Sequence, residues 1–301
     1  MNTATVTGGG LVRPRLADRA RQLRQEATAT PDVILAMLDH PTAANGVLAA
    51  AACLADLADG ARIKVLAARV PPVSTIMPTE EVMTRGKEAR LRARETARVA
   101  ALKAIYDAWN ATARGPGGAA EWFECEVVAD ALIAEWGRRA DVIALERPGR
   151  HKHGMIPQAL PAALFETDRP VLVVPSGLTT TFGRRIAIAW RDDPHATRAV
   201  LSALRYASQA ASVHLLAGVC PGSPKPVIPK ILVEHGVSAD LQIIPIGNDP
   251  VGATLLARTH EVGADMLVMG AYAHSPLREM MFGGVTSYML AHDDVPVLMR
   301  H

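Results

Sequence analysis

Aromatic residues are scarce in this chain: Phe, Trp and Tyr together make up 4% of its 301 residues. Its core must therefore be aliphatic, since hydrophobic residues still reach 49% and charged residues 21%, ordinary values for a globular protein. Cysteine is scarce as well. Cys53, Cys125 and Cys220 lie far apart, form no CxxC pair and are odd in number, which argues against a disulfide framework and for reduced thiols. Excess charge is missing: Lys plus Arg (32) against Asp plus Glu (30) leaves +2, without a basic stripe interleaved with aromatics. Neither a nucleic acid nor a membrane surface is an expected partner. No apolar run approaches the roughly 18 residues of a membrane span, and residues 1–30 hold none of signal-peptide length, so a cytoplasmic protein is expected. Catalytic signatures are missing too: there is no GxSxG elbow, no GxxxxGK(S/T) loop, no HExxH and no spaced Cys/His set. No catalytic residue is assigned, and no metal ligand set. His151 and His153 form an HxH, but without a third ligand of fixed spacing they read as a solvated loop.

What is present is alternation. Short apolar runs bounded by turn residues alternate with helical stretches, the pattern of βα units on a parallel sheet. Strands are expected at 33–38, 63–68, 123–128, 141–145 and 171–174, then at 185–190, 213–219, 241–246, 265–269 and 295–299. The second five repeat the first. LDHPTAANGVL, ending at Leu48, lies over WRDDPHATRAV, ending at Val200; Ala140-Asp141 lies over Ala264-Asp265; Arg169-Pro170-Val171-Leu172 lies over Val295-Pro296-Val297-Leu298. The chain is an internal duplication. Its expected organisation is an N-terminal tail over 1–30, a first, degenerate domain over 31–176, a linker over 177–183 and a second domain over 184–301. The first copy carries the extra length at 78–114, expected as a long, strongly amphipathic helix with Thr79 as N-cap, where the second has only a short proline-rich stretch.

Near the C-terminus, strand four of the second copy ends at Gly270; Gly283-Gly284 follow, then Val285 and Thr286 at a helix start. Glycine admits positive φ and lets a phosphate approach bare backbone, while a helix start offers unpaired N–H groups and Thr286 a hydroxyl. If each sheet has the order 3-2-1-4-5, the loops after strands one and four meet at the switch point, where doubly wound sheets bind ligands. Trp190 at the end of strand one either stacks on a base or caps the core. Arg191 either meets a phosphate or is solvated. Asp192 and Asp193 are explained by the positive N-terminus of the following helix.

The segment Gly270–Thr286 resembles the nucleotide loop of universal stress proteins, G-x2-G-x9-G-(S/T), and AWRDDPHATRAV, LFETDRPVLVVP and PVLMRH are similar to other signatures of that family. The resemblance implies two flavodoxin-like, adenine nucleotide α-hydrolase-like doubly wound domains in tandem, paired with each other and open to homodimerisation. It implies a nucleotide-binding, stress-response signalling module: ATP or a related adenine nucleotide, held weakly by Gly270, Ala273, Gly283, Gly284, Val285 and Thr286 with Trp190, Arg191 and Val219, and Mg2+ only alongside it. Ala273 replaces the family's second glycine, Gly284 its Ser/Thr, and Arg191 its strand-one acid. The first copy keeps that acid as Asp39 but puts Glu146 at the first glycine, whose charge is expected to repel phosphate; no nucleotide is expected there. A nucleotide-independent scaffold and a weak nucleotide hydrolase are the alternatives.

Overall fold

The structure, a computed structural model, describes residues 33–301 except 59, 73–83, 113–119, 127–128, 149–155, 180, 220–221, 223, 248–249, 272–283 and 293. The expected N-terminal tail, the HxH, Thr79, Ala273 and Gly283 fall outside it. All ten expected strands are present, three with identical bounds: β1 Val33–Leu38, β2 Arg62–Arg69, β3 Glu121–Glu126, β4 Val142–Glu146, β5 Val171–Val174, β6 Arg185–Trp190, β7 Ser212–Val219, β8 Asp240–Pro245, β9 Met266–Gly270 and β10 Val297–Arg300. Helices α1 Pro41–Leu57, α2 Arg85–Thr112, α3 Ala129–Gly137, α4 Ile156–Glu166, α5 Pro194–Gln209, α6 Lys230–Glu234, α7 Val251–Glu261 and α8 Val285–His292 connect them.

The strands form one sheet in the order β3-β2-β1-β4-β5-β10-β9-β6-β7-β8. Each half has the 3-2-1-4-5 order, all parallel, and the halves meet where β5 and β10 pair antiparallel, Leu172 against Leu298. The fold class is therefore as expected: two doubly wound α/β units in tandem. Along β1, Ile34, Ala36 and Leu38 enter one core while Val33, Leu35 and Met37 enter the other, the period-two consequence of the pleat in a strand buried on both faces. The first core packs under α1, α2, α5 and α6 and runs through both halves; the second packs under α3, α4, α7 and α8. The stretch between the halves is packed rather than loose: Phe182 is buried, Cys53 Sγ donates to its carbonyl at 3.3 Å, and the Asp265 carboxylate accepts from the N–H groups of Gly183, Arg184 and Arg185.

Helix α2 corrects one expectation. It is long but not amphipathic throughout: its buried residues are Val99, Leu102 and Tyr106, all in the C-terminal half. Tyr106 anchors that half, its hydroxyl donating to the Ala120 carbonyl and its ring lying 5.1 Å from that of Trp122. The N-terminal turns are Arg-, Lys- and Ala-rich, so they have little apolar surface to bury; the helix runs from Arg85, and the Thr84 hydroxyl before it accepts from Lys87 N–H at 3.3 Å.

The second copy depends on a close approach of α7 and α8. A Cβ at Gly252 would stand 2.6 Å from Tyr288 Cβ, inside any real contact, so the two helices touch only because a side chain is missing. Replacing Gly252 by Val should cost about 1–3 kcal/mol and displace the start of α8. Thermal unfolding of Gly252→Val checks this, and an unchanged midpoint would contradict it.

Candidate functional site

At the carboxyl end of β6 the chain leaves the sheet through Trp190 and Arg191 and enters α5. Asp193 caps that helix with extended backbone, Oδ1 accepting from Ala196 N–H at 2.8 Å, while Arg191 Nε donates to Oδ2 at 2.5 Å. Partial burial opposes ionisation, but these hydrogen bonds hold the Asp193 carboxyl below the usual carboxylate range. The helix-start reading of this acid is the one the geometry supports.

Trp190, Arg191 and Val219 come together. With Asp192, Ala217, Gly218 and the proline-rich 224–231 stretch they line an open cleft of about 470 Å³ beyond β6 and β7. Trp190 is half-buried and also packs on the first core, so it both walls the cleft and caps the sheet. Lys225 and Lys230 line the same cleft, giving three cations with Arg191 against the single acid Asp192. Both lysines escape a reading by pattern because their stretch carries no periodicity; the signal there is a lysine beside proline, Lys225 between Pro224 and Pro226 and Lys230 after Pro229.

Of the remaining residues, Gly270, Gly284, Val285 and Thr286 do not line this cleft, and Ala273 and Gly283 lie outside the described residues. Gly270 ends β9 one register step beside Trp190, since Ile188 pairs with Val268. A Cβ there would lie 3.0 Å from His195 C and 3.1 Å from Ala196 N, so the first turn of α5 already fills the space above it. Gly270 thus has a packing role, whatever ligand its loop meets. The loop leaves through Ala271, whose carbonyl lies 3.1 Å from His301 Nδ1; the His301 ring sits 4.9 Å from His195 and 4.7 Å from Phe165 of the first half. Burial, then the neighbouring His301, lowers the His195 pKa, favouring the neutral ring. Gly284 and Val285 are partly exposed and Thr286 is buried at the start of α8, with the Gly284 carbonyl accepting from Tyr288 N–H at 3.0 Å.

In the first half the matching corner is filled. Arg98 of α2 reaches over the ends of β1 and β2 and donates to the Asp39 and Ala68 carbonyls, both at 2.5 Å, and to Glu95 Oε2 at 2.8 Å. Glu146 ends β4 close by. Burial, with the Asp39 charge adding and Arg98 opposing, pushes its carboxyl up to about 8. Glu146 thus holds its proton more tightly than an ordinary carboxyl, which weakens the charge repulsion of phosphate expected of it. Among the described residues no group of three or more His, Cys, Asp or Glu could hold a metal, and no helix is long and apolar enough to cross a membrane.

Residues 234–301, from α6 through the glycine-bearing loop to the last strand, match the model of the universal stress protein family. The match spans the last 68 residues of the 301, all in the second half. Its fold as a whole resembles a universal stress protein from Archaeoglobus fulgidus DSM 4304, with a TM-score of 0.64 at 16% identity over 89% of this chain and 98% of that one. It also resembles a functionally unknown protein from Pseudomonas aeruginosa PAO1, with a TM-score of 0.55 at 13% identity over 92% and 94% of the two chains. No curated protein matches the chain. The half that carries the family match is the half with the open cleft.

Glu146 gives a pH dependence with a definite sign. The folded chain holds this proton up to about 8 whereas an ordinary carboxyl releases it near 4.5, so the folded state binds more protons in between and loses stability as pH rises through that window. Glu146→Gln should flatten this decline, its advantage in melting temperature over the parent growing towards pH 8. Parallel profiles for the two proteins would contradict the assignment.

Proposed function

We propose that this protein is a non-catalytic stress-response module whose second universal stress protein domain binds ATP or a related adenine nucleotide. The observation that carries the reading is the cleft beyond β6 and β7. Trp190 and Val219 offer an aromatic and an aliphatic wall for a base, and Arg191, Lys225 and Lys230 supply the cations that phosphates require. Its volume of about 470 Å³ lies within the roughly 300–1,000 Å³ of small-molecule sites. The phosphates would extend towards Gly270 and the Gly284–Thr286 helix start, with Ala273 and Gly283 on the intervening loop, and Mg2+ would enter only with the nucleotide. Ala273, Gly284 and Arg191 in place of the family's residues favour a modified, weak site.

Titration calorimetry with ATP tests this. A saturable heat is expected, with Trp190→Ala and Lys230→Glu each weakening binding about tenfold or more, a loss of roughly 1.4 kcal/mol. No heat from the parent protein at millimolar ATP would overturn the proposal.

A second reading, a nucleotide-independent scaffold, draws on α2, whose Arg85, Arg90 and Arg94 are exposed along turns that bury nothing. Pull-down by the parent protein that is indifferent to ATP would favour it.

A further inference from the structure

The two halves share a frame, and comparing the same corner in each separates what the frame does from what the side chains do. Leu38 pairs with Ala67 as Trp190 pairs with Ala217, so Asp39 stands where Arg191 stands, and Ala68 where Gly218 stands. In the second half this corner is the open, cation-lined cleft. In the first it is lined by acceptors and filled by one side chain.

We infer that the corner at the carboxyl ends of β1 and β2 is a guanidinium-recognition site, and that Arg98 of α2 is its resident ligand, supplied by the chain itself. Every guanidinium nitrogen is used. Nη1 donates to the Asp39 carbonyl at 2.5 Å and lies 3.4 Å from Asp39 Oδ1; Nη2 donates to the Ala68 carbonyl at 2.5 Å and Glu95 Oε2 at 2.8 Å; Nε donates to Glu95 Oε1 at 3.2 Å and Oε2 at 3.3 Å. The acceptors are fixed independently of Arg98 in part: two are carbonyls at the ends of core strands, and Glu95 Oε2 also accepts from Val70 N–H at 3.1 Å. A planar fork with donors on three nitrogens matches two carbonyls and a carboxylate at once, which the three donors of an ammonium on a single nitrogen do not. The site is also sheltered, with 16% of the Arg98 side chain and 9% of that of Asp39 exposed.

The position of Arg98 gives the site a consequence. On the N-terminal side of Arg98 helix α2 has no buried residue, and Val99 is the first of its three. Arg98 therefore helps hold these turns of α2 against the sheet, together with Glu95, which accepts from Val70 N–H at 3.1 Å, and the exposed Arg92 pair to Glu126. A guanidinium compound, or an arginine presented by another chain, has the chemistry to compete for the same acceptors and release those turns.

Chemical rescue tests the inference. Arg98→Ala should lower the melting temperature by about 5 °C or more and speed amide exchange over residues 85–97. Ethylguanidinium at concentrations too low to denature should restore part of both, saturably, while ethylammonium should not. Arg98→Lys, which keeps the charge, should lose the same protection, and this variant decides the matter if Arg98→Ala fails to fold. Unchanged exchange in Arg98→Ala, rescue by both amines alike, or full protection in Arg98→Lys would each overturn the proposal. Calorimetry with ATP reads the other half, so the nucleotide proposal and this one fail separately.

Discussion

The antiparallel pairing of β5 with β10 is the contact on which the rest of the molecule depends. Each strand would otherwise be the exposed edge of a five-stranded sheet, yet VLVV in one is wholly apolar and VLMR in the other is apolar but for its last residue. An apolar edge with unpaired backbone groups is a liability that pairing removes. Joining the two edges lets one core run beneath four helices drawn from both halves. It also brings the two carboxyl-end corners into one molecule while leaving them far apart in strand order, so each can diverge without disturbing the other.

Divergence has inverted the corners. In the second half the residue after the first strand is Arg191, and two lysines join it from the segment after β7. In the first half that residue is Asp39, and the insertion between β2 and β3 has delivered a helix whose Arg98 satisfies it. The backbone at the two places is the same by register, so the difference in charge and occupancy lies in side chains and in one insertion. The frame explains why there is a corner at each place; the side chains explain why one is open and lined by cations and the other is filled.

Most strands were legible because burial on both faces gives short apolar runs, such as VILAML in β1 and VLVV in β5. The 3-2-1-4-5 order within each half was a supposition from the doubly wound pattern, and the antiparallel β5–β10 junction was not legible, since nothing local says which edges meet. The cleft was half legible: Trp190, Arg191 and Val219 sit at strand ends, where topology alone puts them, whereas Lys225 and Lys230 lie in an aperiodic stretch that only the fold brings back over β6 and β7. Arg98 was not legible. In sequence it is one of six basic residues in the first four turns of α2, and nothing local marks it except that it precedes the buried Val99 by one position. Gly270 was read for phosphate approach, and the packing of α5 against it shows a second reason for the missing Cβ that only the assembled strands and helices reveal. The amphipathic reading of α2 failed for a related reason, since a charge-rich helix leans on the body only where it carries Val99, Leu102 and Tyr106.

The two corners of the duplicated frame are asymmetric: one is filled from within by Arg98, and the other is open and proposed to take a nucleotide. Native mass spectrometry of the intact chain with ATP counts the occupied corners directly. One nucleotide per chain, lost on Lys230→Glu and unaffected by Arg98→Ala, is the result this account predicts. Two nucleotides per chain, or one that survives Lys230→Glu and vanishes with changes at Asp39, would contradict it.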